Sequence, residues 1–250
     1  MVKPIALQLY SLREQLSQNF EENVRAIAEM GYLGVETAGF GGTTPAAAAD
    51  LFRSLGLTVT SMHSPLPLGD QRAEVVETAR LLDCAKIVCA YIPPEEFASL
   101  DQIKRHCERL NQANAAARAE GLTLFYHNHW WEYQPVEGVY PYRLMAEQCD
   151  PTIAFEIDAY WVSTAGVDAV SVLKELGERV TLLHVKDGPR NTQDPMLAVG
   201  QGSMDYHAII PAAASAEWMI VELDRCATSM IDAVRASYDY LTREGLAHGR

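Results

Sequence analysis

Four short apolar runs end on residues able to bind a metal ion or carry a proton. They are FYHNH up to His129, FEID up to Asp158, LLHVKD with His184, and MIVELD with Glu222. Two histidines and two carboxylates delivered from four strand ends can meet around one cation. Imidazole and carboxylate are also the side chains that most often act as general acids and bases.

Side-chain alternation along a strand sharpens this picture. His127 and His129 share a side while the chain stays extended, and Glu132 follows in the next loop. Glu156 and Asp158 share a face by the same period. If that face is interior, two carboxylates are costly to bury unless a metal or a lysine relieves them. His184 and Lys186 share a face, and Arg190 lies in the loop beyond, so this stretch can grip a substrate oxygen or carboxylate. Glu222 follows Trp218–Val221, and a glutamate at the end of such an apolar run is rarely there for solubility. Plainer readings stand beside these. The histidines can be hydrogen-bonded core or loop residues. The carboxylates can lie in solvent past shorter strands. Lys186 with Asp187, and Asp224 with Arg225, can be surface pairs.

Further candidates are Gln8 and Tyr10 on the first apolar run, Glu36 ending the second and His63 ending the third. Trp130, Trp131 and Trp161 can wall a sugar ring or simply pack. Gly200 and Gly202 in VGQGSMDY (199–206) suggest half a phosphate loop, or more simply a tight turn before a helix whose cap or first turn takes Asp205.

The elements needed to position these residues alternate from end to end. Strands are predicted at 5–11, 33–37, 57–63, 86–92, 122–128, 152–158, 180–186 and 218–224. Helices are predicted at 19–30, 45–55, 70–82, 95–119, 140–148, 167–177, 205–215 and 227–244. Phe20, Val24, Ile27 and Met30 show helical spacing, with Asn19 as N-cap and Gly31 as the stop. Eight strand–helix units in 250 residues predict a single (β/α)8 TIM barrel domain spanning residues 1–250, with the polar strand ends gathered at one face. An open doubly wound sheet is the alternative, but its phosphate loop after the first strand would need glycine, and the chain reads YSLREQ there.

Composition narrows the partners. The formal net charge is −13 and no basic stripe appears, which argues against nucleic acid. Five cysteines at 84, 89, 107, 149 and 226 form no CxxC pair, as expected of a reducing, cytoplasmic setting. The first residues are too quickly charged for a signal peptide, and no apolar run approaches membrane-spanning length.

EMGYLGVE (29–36), the HNH segment, the ID ending at Asp158, HVKDG (184–188), GQGSMDY (200–206) and the VEL around Glu222 together resemble the xylose-isomerase-like barrels of the sugar phosphate isomerase/epimerase group. The resemblance covers nearly the whole chain. It implies one divalent cation at the barrel mouth, Mn2+ first and Mg2+, Co2+ or Zn2+ as alternatives. It places Asp158, His184 and Glu222 among the ligands. His127 falls where relatives often carry a glutamate, and Arg190 falls where they carry a substrate-contacting arginine. The departure at His127 removes one carboxylate base of a two-base epimerase. Glu132, His129, Glu156 and Lys186 are candidate replacements.

Three functions stay open. The first is a metal-dependent isomerase or epimerase that forms an enediolate from a keto-sugar, with Glu222 as ligand and base, Glu132, His129 and Lys186 as further catalytic groups, and His63, Glu156, Trp131, Trp161 and Arg190 around the substrate. The second is a lyase or dehydratase acting on a keto-sugar or keto-inositol. The third is a non-catalytic sugar-binding subunit. The expected partner is a small neutral or weakly charged sugar, and self-association into a homo-oligomer is compatible with the sequence.

Overall fold

The computed structural model describes residues 2–250. Eight parallel strands close into a barrel: β1 (Lys3–Gln8), β2 (Gly34–Thr37), β3 (Thr58–His63), β4 (Lys86–Cys89), β5 (Thr123–His127), β6 (Ala154–Asp158), β7 (Val180–Val185) and β8 (Trp218–Val221). Each pairs with the next, and β8 returns to β1 through Ile5–Met219, Ala6–Ile220 and Leu7–Val221. A ninth, two-residue strand, β9 (Ala247–His248), lies beside the start of β1. This is a (β/α)8 TIM barrel, as the alternation predicts.

The crossover helices follow the expected signals. They are α2 (Phe20–Met30), α3 (Pro45–Ser54), α4 (Gln71–Leu81), α5 (Leu100–Arg118), α6 (Pro141–Gln148), α8 (Ala169–Leu176), α9 (Tyr206–Ala212) and α10 (Met230–Arg243); α1 (Arg13–Gln18) and α7 (Ala159–Thr164) are two short helices that the periodicity does not predict. Asn19 caps α2 by accepting from the Glu22 N–H, and Gly31 ends it at φ 104°. Thr44 caps α3, with Pro45 in its first turn. α2 turns Val24, Ile27 and Met30 inward, as the spacing predicts. No helix of the described residues is long and apolar enough to cross a membrane.

Three packed regions hold the barrel. The largest lies between strands and helices. A second joins Tyr160, Trp161, Met196, Ala198, Leu223 and Ala233. The third joins Ala6, Val88, Phe125, Leu182 and Ile220. Two residues further along the same strands, on the same side by the period of two, come Gln8, His127, His184 and Glu222. An apolar plug thus floors a polar layer, and the carboxyl ends of the strands carry the chemistry. Register shifts between Val35 and Glu36 and between Phe155 and Glu156 re-aim two of the acidic side chains.

Candidate active site

β5, β6, β7 and β8 bring His127, Asp158, His184 and Glu222 together. Each offers a ligand atom within 4.8 Å of the others, and all four are buried. A second group at the same spacing is His63, Glu156 and the same two histidines, His127 and His184. His184 stands between the two. Its Nδ1 lies 2.7 Å from Glu222 Oε2, and its Nε2 lies 2.7 Å from Glu36 Oε2 and 3.2 Å from Glu156 Oε2.

Lys186 is 1% exposed and reaches three carboxylates: Glu222 at 2.7 Å, Asp158 at 2.9 Å and Asp224 at 3.1 Å. The surface pair with Asp187 is therefore not formed, because adjacent strand residues face opposite ways. Nor do Asp224 and Arg225 pair; the Arg225 guanidinium instead donates to the carbonyls of Thr192 and Asp194.

Electrostatics follow from burial and these neighbours. Burial opposes charge on Lys186, yet Asp158, Asp224 and Glu222 hold its pKa well above the usual range. Burial likewise works against an imidazolium at His184, but Glu156, Glu36 and Glu222 raise it well above normal. Burial would raise Glu222, but Lys186 and His184 hold it well below the carboxylate range, so it stays ionised. Glu156 is raised by burial and by Glu36, and Asp158 by burial against the pull of Lys186. His127 is pushed well down by burial and by the neighbouring cationic side chains, which keeps it neutral and ready to ligate.

The mouth opens into a cavity of about 780 Å³. His63, His127, His129, Lys186, Glu222 and Asp224 line its inner wall. Its outer wall includes Tyr91 on the β4 side and Arg109 from α5, neither of which the sequence reading singled out. Tyr91 lies beyond the end of β4, and Arg109 sits within α5, where nothing local marks it as facing a cavity.

Other predicted residues fall elsewhere. Glu132 is buried away from the cavity, accepting from the Tyr126 hydroxyl at 2.6 Å and the His129 N–H at 2.9 Å. Trp131 stacks on the His129 ring, centroids 4.3 Å apart, and does not line the cavity. Trp161 packs against Trp130 and sits 5.5 Å from Lys186 Nζ. Glu156 is fully buried beneath the mouth. Arg190 is exposed at φ 55° in the β7–α9 loop, outside the cavity lining. Glu36 and Gln8 join the site from β2 and β1, with the Gln8 amide and the Ser61 hydroxyl each donating to Glu36 at 2.6 Å. Ser61 was not anticipated, although it shares a face with His63 by the period of two.

The glycine loop has a structural use. The buried Asp187 carboxylate accepts from the N–H groups of Gly188, Gly200, Gly202 and Met204. Those donors are spent on the loop itself, so it is a turn and not a phosphate cradle. Asp205 then caps α9 by accepting from the Ala208 N–H.

The donors present suit a divalent cation. They include the neutral imidazole of His127 and the ionised carboxylate of Glu222, and the buried His127 Nδ1, Asp158 Oδ2 and Glu156 Oε1 have no hydrogen-bond partner.

A model of the xylose isomerase-like TIM barrel matches residues 24–244. The chain belongs to that family. Among solved structures of similar fold, a sugar phosphate isomerase/epimerase from Parabacteroides distasonis is 25% identical, with TM-score 0.84 over 96% of this chain and 98% of its own. The probable 3-DHS dehydratase involved in petrobactin synthesis from Bacillus anthracis is 15% identical, with TM-score 0.77 over 96% and 98%. An L-ribulose 3-epimerase is 16% identical, with TM-score 0.73 over 98% and 95%. At such identities the likeness to the last two shows the fold of this xylose isomerase-like barrel alone. Comparison with curated proteins found no match.

Proposed function

We propose that this barrel is a divalent-metal-dependent isomerase or epimerase that moves a proton next to the carbonyl of a keto-sugar. The observation that carries the reading is the convergence of His127, Asp158, His184 and Glu222, with His127 and Glu222 lining a cavity large enough for a monosaccharide. The solved neighbours described as isomerases and epimerases support it. A cation held among the two histidines and the adjoining carboxylates would polarise the substrate carbonyl and acidify the neighbouring C–H.

The chain's own residues supply the rest. Glu222 faces the cavity as a carboxylate, the protonation state a base needs. Its depressed pKa makes it a weak base, so it can take a proton only from a strongly activated carbon. Lys186 beside it keeps a positive charge next to the substrate oxygens and can return a proton to oxygen. His129 is pushed to about 3 by burial and by Lys186, so it meets the substrate as a neutral ring.

One observation favours a lyase as second reading. Of the three carboxylates lining the cavity, Glu222 and Asp224 come from the β8 side and Glu96, beyond β4, lies 3.1 Å from His106, while histidines face the β8 pair from β5. A single carboxylate base suits elimination of a β-substituent better than proton exchange on two faces. NMR of free ketoses, 3-keto-glycosides and keto-inositols incubated in D2O with Mn2+ separates the readings. Deuterium at C2 or C3 without loss of a group is expected for the isomerase or epimerase. Release of water or aglycone would replace it with the lyase.

A further inference from the structure

A keto-sugar ring, placed at the polar wall as the proposed function requires, leaves much of the cavity unfilled. Pockets of roughly 300–1,000 Å³ hold ligands of drug size, and this one measures about 780 Å³. The rest of its lining differs in kind from the inner wall. Pro65 and Leu66 follow β3, Tyr91, Ile92 and Pro93 follow β4, and Leu110 comes from α5. Val2, Tyr10, Tyr91 and Val139 are the large apolar side chains left exposed among the described residues. The two tyrosines, 41% and 57% exposed, both line this cavity. Apolar surface left open beside a polar site marks a place where a ligand is covered.

Tyr91 joins the two walls. Its ring stands edge-on to His129, centroids 5.3 Å apart, and to Trp131 at 5.5 Å. The ring is thus held in place although more than half exposed, and a flat ligand meets it with little ordering cost. The polar groups of the outer wall are largely engaged with one another. Ser64 Oγ donates to the Pro65 carbonyl at 3.0 Å, and Glu96 lies 3.1 Å from His106. Arg109 is the remaining charged side chain there, and a guanidinium stacks readily on an aromatic face. A second sugar ring in this space would leave most of its hydroxyls unpaired against proline, leucine and isoleucine, which costs binding. An aromatic ring has no such groups to satisfy and packs well on tyrosine.

We propose that the substrate is a keto-sugar carrying an aromatic aglycone, with the sugar at the polar wall and the aglycone against Leu66, Tyr91, Pro93 and Leu110. A glycosidic bond keeps the sugar ring closed, so the carbonyl acted on is a ring ketone and not an open-chain one.

The test is binding of methyl β-D-glucoside, phenyl β-D-glucoside and cellobiose, whose β-linked substituents are a methyl group, an aromatic ring and a second sugar. Calorimetry gives the affinities, and saturation-transfer NMR shows which ligand protons touch the protein. The phenyl glucoside should bind about 10- to 100-fold more tightly than the methyl glucoside, as burial of roughly 100 Å² of apolar surface implies, with the strongest saturation on its aromatic protons. Tyr91→Ala and Leu66→Gln should each bring the two within about threefold of one another. Circular dichroism melts control for folding, and the exposed Tyr91 position serves if the Leu66 variant does not fold. A phenyl glucoside that fails to bind or binds no better than the methyl one, tighter binding of cellobiose, or a phenyl preference unchanged in Tyr91→Ala would overturn the subsite. The phenyl and methyl probes carry no carbonyl, so the result is separable from the chemistry. A phenyl preference without proton exchange on any keto-sugar would leave the subsite and remove the isomerase or epimerase; exchange without a phenyl preference would do the reverse.

Discussion

Burial raises the Glu132 carboxyl to about 7, although the Tyr126 hydroxyl and the His129 N–H both donate to it. In the unfolded chain the same group titrates near 4.5. A folded-state pKa above the unfolded one means the native state holds the proton more tightly. The contribution of Glu132 is therefore greatest below about 4.5 and is lost as pH rises through 7, by roughly 3 to 3.5 kcal/mol at about 1.4 kcal/mol per unit. Glu132→Gln cannot ionise, so its stability relative to wild type should improve from pH 5 to pH 8. Urea unfolding at the two pH values measures this. A difference between variant and wild type that stays constant with pH would show that Glu132 is ionised throughout. The residue matters to the site because it fixes the backbone of His129. It does so from outside the cavity, a placement that its sequence position, three residues past His129, could not reveal.

At the scale of elements, the β7–α9 loop depends on Asp187. One buried carboxylate accepts from the N–H groups of Gly188, Gly200, Gly202 and Met204, and a Cβ at Gly202 would lie 2.1 Å from Asp187 Oδ1. Asp187→Asn replaces two acceptor oxygens by one and turns an NH2 toward backbone donors. It should cost about 2–4 kcal/mol, as expected for leaving buried donors unpaired beside a lost charge. The loop should then be cleaved faster by protease between residues 188 and 204. An unchanged urea midpoint with unchanged proteolysis would contradict this role. The eight strands and eight crossover helices were legible because alternation, Asn19, Thr44 and Gly31 act locally. Asp158, His184 and Glu222 were legible because a polar group ending an apolar strand has few other uses. The partner of Lys186 was not, since it comes from β6 and β8 and only barrel closure brings these within reach. α7 escaped because Asp158, read only as a strand end, also caps it by accepting from the Trp161 N–H. The role of Asp187 escaped because its four donors are spread over residues 188–204, and nothing local marks them as converging.

For the whole molecule, the barrel sets an apolar floor of Ala6, Val88, Phe125, Leu182 and Ile220 beneath a layer of acids and histidines, and opens that layer to a cavity of about 780 Å³. A formal charge of −13 leaves the surface unsuited to polyanions. Arg109 and Lys186 are the lysine and arginine side chains lining the cavity, enough for a neutral sugar or one bearing a single acidic group. On the proposed function, a cation at this mouth makes a keto-sugar's α-proton labile. Chelator-stripped protein, and the same protein reloaded with Mn2+, should be compared for wash-in of solvent deuterium at the carbon next to the substrate carbonyl. Exchange should disappear on stripping, return on reloading, and be lost in Glu222→Gln. Exchange that proceeds equally with and without metal, or none from a fully loaded protein on any keto-sugar offered, would contradict it.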